Sequence, residues 1–97
     1  MIDHINAQSL LGNFDEIEHL IKSRDMDILC VSETWLLPTI QSRMINIPGY
    51  SVYRCDGGRG GGVGIYVKTI FNVTVLSTNL EKSPLVEDIW LVQLSWV

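Results

Sequence analysis

Two polar residues stand where an α/β protein keeps its chemistry. Glu33 closely follows the apolar run Ile28 to Val31. A carboxylate at the end of a buried segment needs a reason to be there. A hard divalent cation is one such reason, because Mg2+ takes one or two carboxylates and completes its sphere with water and substrate oxygens. The plainer alternatives are an exposed carboxylate opening a loop, or one paired with Arg54. Asn6 closes the first apolar-rich segment. Its amide can hold a phosphate oxygen or orient a metal-bound water. It can equally bond its own backbone in a turn.

Other candidates carry less. The run Gly57-Gly58-Arg59-Gly60-Gly61-Gly62 looks like a phosphate cradle, but a P-loop needs GxxxxGK[ST] and a following helix. Here Ile65-Tyr66-Val67 continues as a strand, so the glycines are expected to relieve a tight, flexible hairpin tip. His4 and His19 have no metal-ligand spacing with either cysteine and are expected to be surface or structural residues. Trp35 and Tyr50 can stack on a base, with loop or core packing as the default. No Ser/His/Asp set assembles.

The elements that must position these residues are legible in outline. Ile2 to Ala7 reads as a strand. Asn13 with Glu16 matches a capping box, and Phe14, Ile17, Leu20 and Ile21 recur at helical spacing, so a helix is expected to run to Arg24 or Asp25. Ile28 to Val31 is a strand covered on both faces. Strand, helix and strand make a βαβ unit with parallel strands. Asn6 and Glu33 then share the C-terminal strand edge, where open α/β sheets bind ligands. Pro38 to Pro48 shows no regular pattern. Tyr50 to Cys55 and Val63 to Lys68 form a hairpin around the glycines. Asn72 to Leu76 and Asp88 to Ser95 are further strands. In the last, Trp90, Val92, Leu94 and Trp96 alternate with Ile89 and Leu91, so both faces are expected to be covered. The sequence stops at Val97, inside this run, as a domain cut mid-strand does.

Composition agrees with a piece of a larger core. The 97 residues are 46% hydrophobic and 19% charged, against roughly 25% charged in ordinary soluble domains. The net charge is −4, and Lys and Arg are scattered, so there is no basic face of the kind a self-sufficient nucleic-acid binder shows. A metal-using enzyme on nucleic acid can still be locally acidic, since its ligands are carboxylates. Cys30 and Cys55 lie far apart, Cys30 in an apolar run, which points to free thiols in a reducing compartment. No apolar run is long enough to span a membrane, and the N-terminus lacks a signal-peptide pattern. An intracellular location, cytoplasmic or nuclear, is the expectation.

Four strings now fall in order: INAQSL, DILCVSETWL, IPGYSVYRCDG and GGGVGIYVK. Together they resemble the N-terminal half of the endonuclease/exonuclease/phosphatase superfamily, and most of all the endonuclease domains of non-LTR (LINE-type) retrotransposons. The likeness runs from about Ile5 to about Lys68; the Asp88 to Ser95 strand fits more loosely. It implies an α/β fold, part of a four-layer αββα sandwich of two packed mixed sheets, with residues 1–97 as the N-terminal portion of one domain. It implies Mg2+ or Mn2+ as cofactor, Glu33 as a metal-binding residue and Asn6 as the active-site amide. It also implies DNA as partner and DNA nicking as the activity.

The family pattern further uses a Tyr, a G-D-F-N-like segment and a C-terminal S-D-H segment. Neither segment occurs in this sequence, so the general base and the phosphate-binding His are missing. General-base help alone is worth about 10²–10⁴-fold. The expected reading is a fragment of a Mg2+-dependent DNA endonuclease, inactive alone, whose partner is the rest of the domain if it is encoded downstream. A phosphatase-like relative and a non-catalytic relic or interaction module are the alternatives.

Overall fold

A computed structural model describes residues 1–78 and 90–96. The chain opens with strand β1 (Ile2–Asn6), helix α1 (Phe14–Ser23) and strand β2 (Ile28–Ser32). A 3-10 turn (Ser42–Ile45) precedes strands β3 (Tyr50–Cys55) and β4 (Val63–Lys68), and strands β5 (Phe71–Thr78) and β6 (Trp90–Trp96) follow. The first four strands make one mixed sheet in the order β1-β2-β4-β3. β1 and β2 run parallel, with Ile2 opposite Ile28 and Asn6 opposite Ser32. β4 runs antiparallel to both β2 and β3. β5 and β6 form a separate antiparallel pair, with a register shift between Val75 and Ser77. The fold is thus a small mixed α/β arrangement, as the sequence leads one to expect. Asp88 and Ile89 lie outside the described residues, as does the expected covering of both faces of the last strand.

α1 has ten residues, shorter than an isolated helix needs to persist in water. Burial holds it in place. Ile17 and Ile21 are buried against Leu29 and Val31 of β2 and Tyr66 of β4, with Leu10, Met26 and Leu36 closing the cluster. Each such side chain contributes about 1.5–3 kcal/mol when fully buried. Asp15 and Glu16 sit in the first turn and Lys22 in the last, which suits the helix dipole.

The capping box expected at Asn13 and Glu16 does not form. Asn13 has φ −114° and ψ 22°, not extended geometry, and its side chain makes no cap bond. Its amide instead donates to the carbonyls of Ala7 (2.9 Å), Ser9 and Gln8. A side-chain NH2 is a donor and cannot satisfy helix N–H groups; here it clasps the loop from β1 to α1.

The aperiodic stretch Pro38 to Pro48 also contributes to the core. Ile45 and Ile47 are fully buried there, and the buried Tyr66 hydroxyl donates to the Ile45 carbonyl at 2.6 Å. Burial pushes the Tyr66 phenol well above its ordinary pKa, so it remains a donor across the working pH range. Among the described residues no helix is long and apolar enough to cross a membrane.

Candidate active site

Parallel pairing brings the C-terminal ends of β1 and β2 side by side. Asn6 ends β1, and Glu33 is the first residue beyond β2. In regular strand alternation Glu33 would follow Leu29 and Val31 toward the helix. It does not, because its φ is +52°. This left-handed turn breaks the alternation and swings the carboxylate toward Asn6, whose Nδ2 donates to Glu33 Oε2. The Asn6 carbonyl oxygen in turn accepts from the Gln8 backbone N–H at 3.2 Å. The amide is therefore fixed at both ends. The alternative pairing of Glu33 with Arg54 does not occur: Arg54 bonds Asp56 at 2.8 Å and the carbonyls of Leu37 and Ile40.

The segment after Glu33 is held from the opposite side of the chain. The Thr34 N–H donates to the Gly62 carbonyl (3.3 Å), the Trp35 N–H to Gly61 (2.9 Å) and the Gly58 N–H to Leu36 (3.2 Å). The glycine run is thus a docked loop, not the flexible tip expected from its composition. Two of its glycines are required by close approach. A Cβ on Gly62 would lie 2.5 Å from Thr34 Oγ1, and one on Gly57 would lie 2.5 Å from the Gly62 nitrogen. No helix follows the run; β4 does, so it is no P-loop.

This docking stabilises an otherwise unfavourable segment. Trp35 also has a positive φ, +57°, and left-handed backbone costs an L-residue roughly 1–2 kcal/mol. The indole Nε1 is buried and has no hydrogen-bond partner, a further cost of about 1–3 kcal/mol. The Arg59 guanidinium lies over the Trp35 ring, 5.9 Å from its centre. Backbone strain of this kind clusters at working sites.

Three features of this edge were not legible from sequence. Thr34 is a buried polar residue that forms the floor under Gly62. His4 Nε2 and Ser32 Oγ lie 3.1 Å apart beside Asn6. Alternate spacing on β1 and the pairing of Asn6 with Ser32 were the available signals for that pair. No comparable signal marks the contact of Arg59 with Trp35. His19 is exposed. Tyr50, considered for base stacking, donates its hydroxyl to the Met26 carbonyl at the opposite edge. Both cysteines are free, and burial raises the Cys30 thiol pKa.

The described residues contain no cluster of three or more His, Cys, Asp or Glu side chains. Mg2+ does not require one, since it keeps several waters and uses one or two carboxylates together with substrate oxygens. Glu33 has one oxygen engaged by Asn6 and the other without a hydrogen-bond partner among the described residues. One carboxylate steadied by an amide fits the protein's share of such a shell. A groove of about 400 Å3 between β1 and α1 includes Asn6, Asn13 and Glu16. Glu33 does not line it; the groove meets the carboxylate edge at Asn6.

No curated protein sequence matches the chain. The Endonuclease/Exonuclease/phosphatase family profile matches residues 4–92, a span that contains both Asn6 and Glu33, the glycine loop and the start of β6. Members of this family are generally metal-dependent and cleave phosphoesters. Together with the mixed sheet and its strand-end amide and carboxylate, that match over most of the chain decides the assignment: the chain belongs to the endonuclease/exonuclease/phosphatase family.

Proposed function

We propose that the chain supplies the metal-holding edge of a Mg2+-dependent DNA endonuclease domain of the non-LTR retrotransposon type, with Glu33 as metal ligand and Asn6 as the amide that orients it. The observation that supports this most is the contact of Asn6 with Glu33 across two parallel strand ends, reached through a left-handed residue. The strings INAQSL, SETWL and GGGVGIYVK favour the retrotransposon type over a phosphatase-like relative. Residues 1–97 then form the N-terminal portion of a single domain, acting in the cytoplasm or nucleus.

In this reading Glu33 holds the cation and Asn6 fixes the carboxylate rotamer through its N–H. The bound ion, Mg2+ or Mn2+, would neutralise charge that develops on the phosphate and leaving oxygen. The docked glycine loop keeps Glu33 in its turned conformation, so little reorganisation accompanies binding.

The test has two measurements. Mn2+ binding, followed by electron paramagnetic resonance and competed with Mg2+, should be weak in the native chain and lost in Glu33→Gln. Undiminished binding in that variant would falsify the ligand assignment. In a supercoiled-plasmid assay with Mg2+, the chain should nick no faster than Glu33→Ala, because the G-D-F-N and S-D-H strings are absent from its sequence. Nicking that disappears in the Glu33→Ala control would mean the chain completes a site in another way. Absence of both metal binding and DNA binding would favour the interaction-module reading.

A further inference from the structure

We propose that Arg59, held on the ring of Trp35 at the docked glycine loop, grips a backbone phosphate of a nucleic-acid strand beside the Asn6–Glu33 edge. This rests on the reading of that edge as one that handles phosphodiesters. It adds a residue and a location to that reading.

Among the described residues the charges single out Arg59. Lys22 lies near Glu18, Arg54 pairs with Asp56, and Lys68 pairs with Asp25 and Asp27. Arg43 bonds Gln41. Arg24 caps the C-terminal end of α1, and α1 runs back from the site, so Arg24 belongs to the far edge of the sheet. Arg59 forms no ion pair among the described residues, and its contact there is with an aromatic face. In a chain of net charge −4, a cation left without a carboxylate beside a catalytic edge is available to an anionic ligand.

The loop also orders the residue. Arg59 follows Gly58, whose N–H is tied to Leu36, and precedes Gly61 and Gly62, tied to Trp35 and Thr34. Its backbone is anchored on both sides within three residues. At 5.9 Å from the ring centre the contact is a long cation–π attraction; it occupies none of the guanidinium N–H donors, which can bind phosphate oxygens in pairs. Trp35 is therefore a positioning residue. It is two residues from Glu33, so the cation is set next to the carboxylate edge without neutralising it.

The test uses the full chain and a labelled single-stranded DNA oligonucleotide, followed by fluorescence anisotropy in EDTA across a NaCl series. Removing one phosphate contact should lower the slope of log K against log salt by about 0.7. Arg59→Ala should show that drop and several-fold weaker binding at low salt. Arg59→Lys should keep the slope and bind more weakly than the native chain, because the charge remains and the paired N–H fork is lost. Mn2+ binding should be unchanged in both variants, which separates failure of this inference from failure of the Glu33 assignment. Equal slopes in the native and Arg59→Ala chains would overturn the proposal, as would absence of native binding. A parallel arm uses phosphatidylcholine vesicles carrying a phosphoinositide. An Arg59 effect seen only there would replace the nucleic-acid strand with a lipid headgroup and overturn the proposal as stated.

Discussion

The two ends of the four-stranded sheet are built on opposite principles. At one end, where β2 begins and β4 stops, the chain is sealed conventionally. The Lys68 amine pairs with Asp25 at 2.8 Å and with Asp27 at 3.4 Å. The Lys68 N–H donates to the Asp27 carbonyl and the Thr69 N–H to Gly49, and the Tyr50 hydroxyl donates to Met26. Its single left-handed non-glycine residue among those described is Asp25, a type that tolerates that conformation. At the other end lie four such residues, Gln8, Ser9, Glu33 and Trp35, with a buried indole N–H that has no partner. One end gains stability from paired groups; the other gives some up to fix where a carboxylate points. A βαβ unit thus divides its work between its two edges, and the strained edge is the one that carries Asn6 and Glu33.

Three substitutions can break or sharpen this contrast. The largest effect is expected at the glycine loop. Gly62→Ala puts a Cβ against Thr34 Oγ1 in a residue with φ +90°, and should destabilise by roughly 2–4 kcal/mol from strain and overpacking together. Gly60 also has a positive φ, but a Cβ there meets nothing within 4 Å, so Gly60→Ala serves as the matched control with only the backbone cost. Urea unfolding of the pair separates docking from conformational preference. Similar midpoints for the two variants would remove the loop from the account of Glu33.

A smaller effect, of opposite sign, is expected at the site itself. Glu33→Asn replaces a residue that resists the left-handed region with one that accepts it. It should raise stability by about 0.5–1 kcal/mol while abolishing Mn2+ binding. Loss of both stability and binding would show that Glu33 is no more strained than the residues of the sealed end.

The smallest effect belongs to that sealed end and depends on pH. A hydrogen bond from the Met1 amine, opposed by partial desolvation and aided by Lys68, holds the Asp27 carboxyl below its ordinary value of 3.8. A depressed folded pKa contributes stability above the unfolded pKa and loses it as pH falls through the folded value. Asp27→Asn should therefore flatten the acid limb of a thermal-melt series below about pH 4 and lower the melting temperature slightly at neutral pH. On the alkaline side, the hydrogen bond with Asp25, and then Asp27, raises the Lys68 pKa. That contribution is present below the unfolded pKa and fades as pH rises through the folded one. An acid limb unchanged by Asp27→Asn would mean that these pairs do not seal the edge.

Much of the frame was readable because its signals are periodic or local. Ile17 and Ile21 repeat at helical spacing, Ile28 to Val31 is an unbroken run, and the hairpin strands flank glycines. That Asn6 and Glu33 share one sheet edge followed from parallel pairing; their contact also depends on the left-handed turn at Glu33, which no periodicity announces. What escaped notice depends on contacts between irregular segments. Ile45 and Ile47 are buried in a stretch without period, so nothing in their spacing announced them. Asn13 resembled a cap by residue type, but its amide found nearer acceptors in the loop before it. The glycines suggested freedom, whereas Gly57 and Gly62 are glycines because Thr34 and the loop's own backbone leave no room for a side chain. The contact of Arg59 with Trp35 joins positions 24 apart with no shared pattern.

The ties from Gly61 and Gly62 to Trp35 and Thr34 have a consequence for when the site exists. They close a loop of some two dozen residues, at an entropic cost that grows slowly with length, and the paired strands β3 and β4 carry the tip to its place. Glu33 therefore has no turned conformation to offer while the hairpin is open. Opening the tip is a smaller event than unfolding the sheet, so a chain with its core intact can lack the carboxylate geometry altogether. A cation that bound only the closed form would draw this local equilibrium toward closure by mass action.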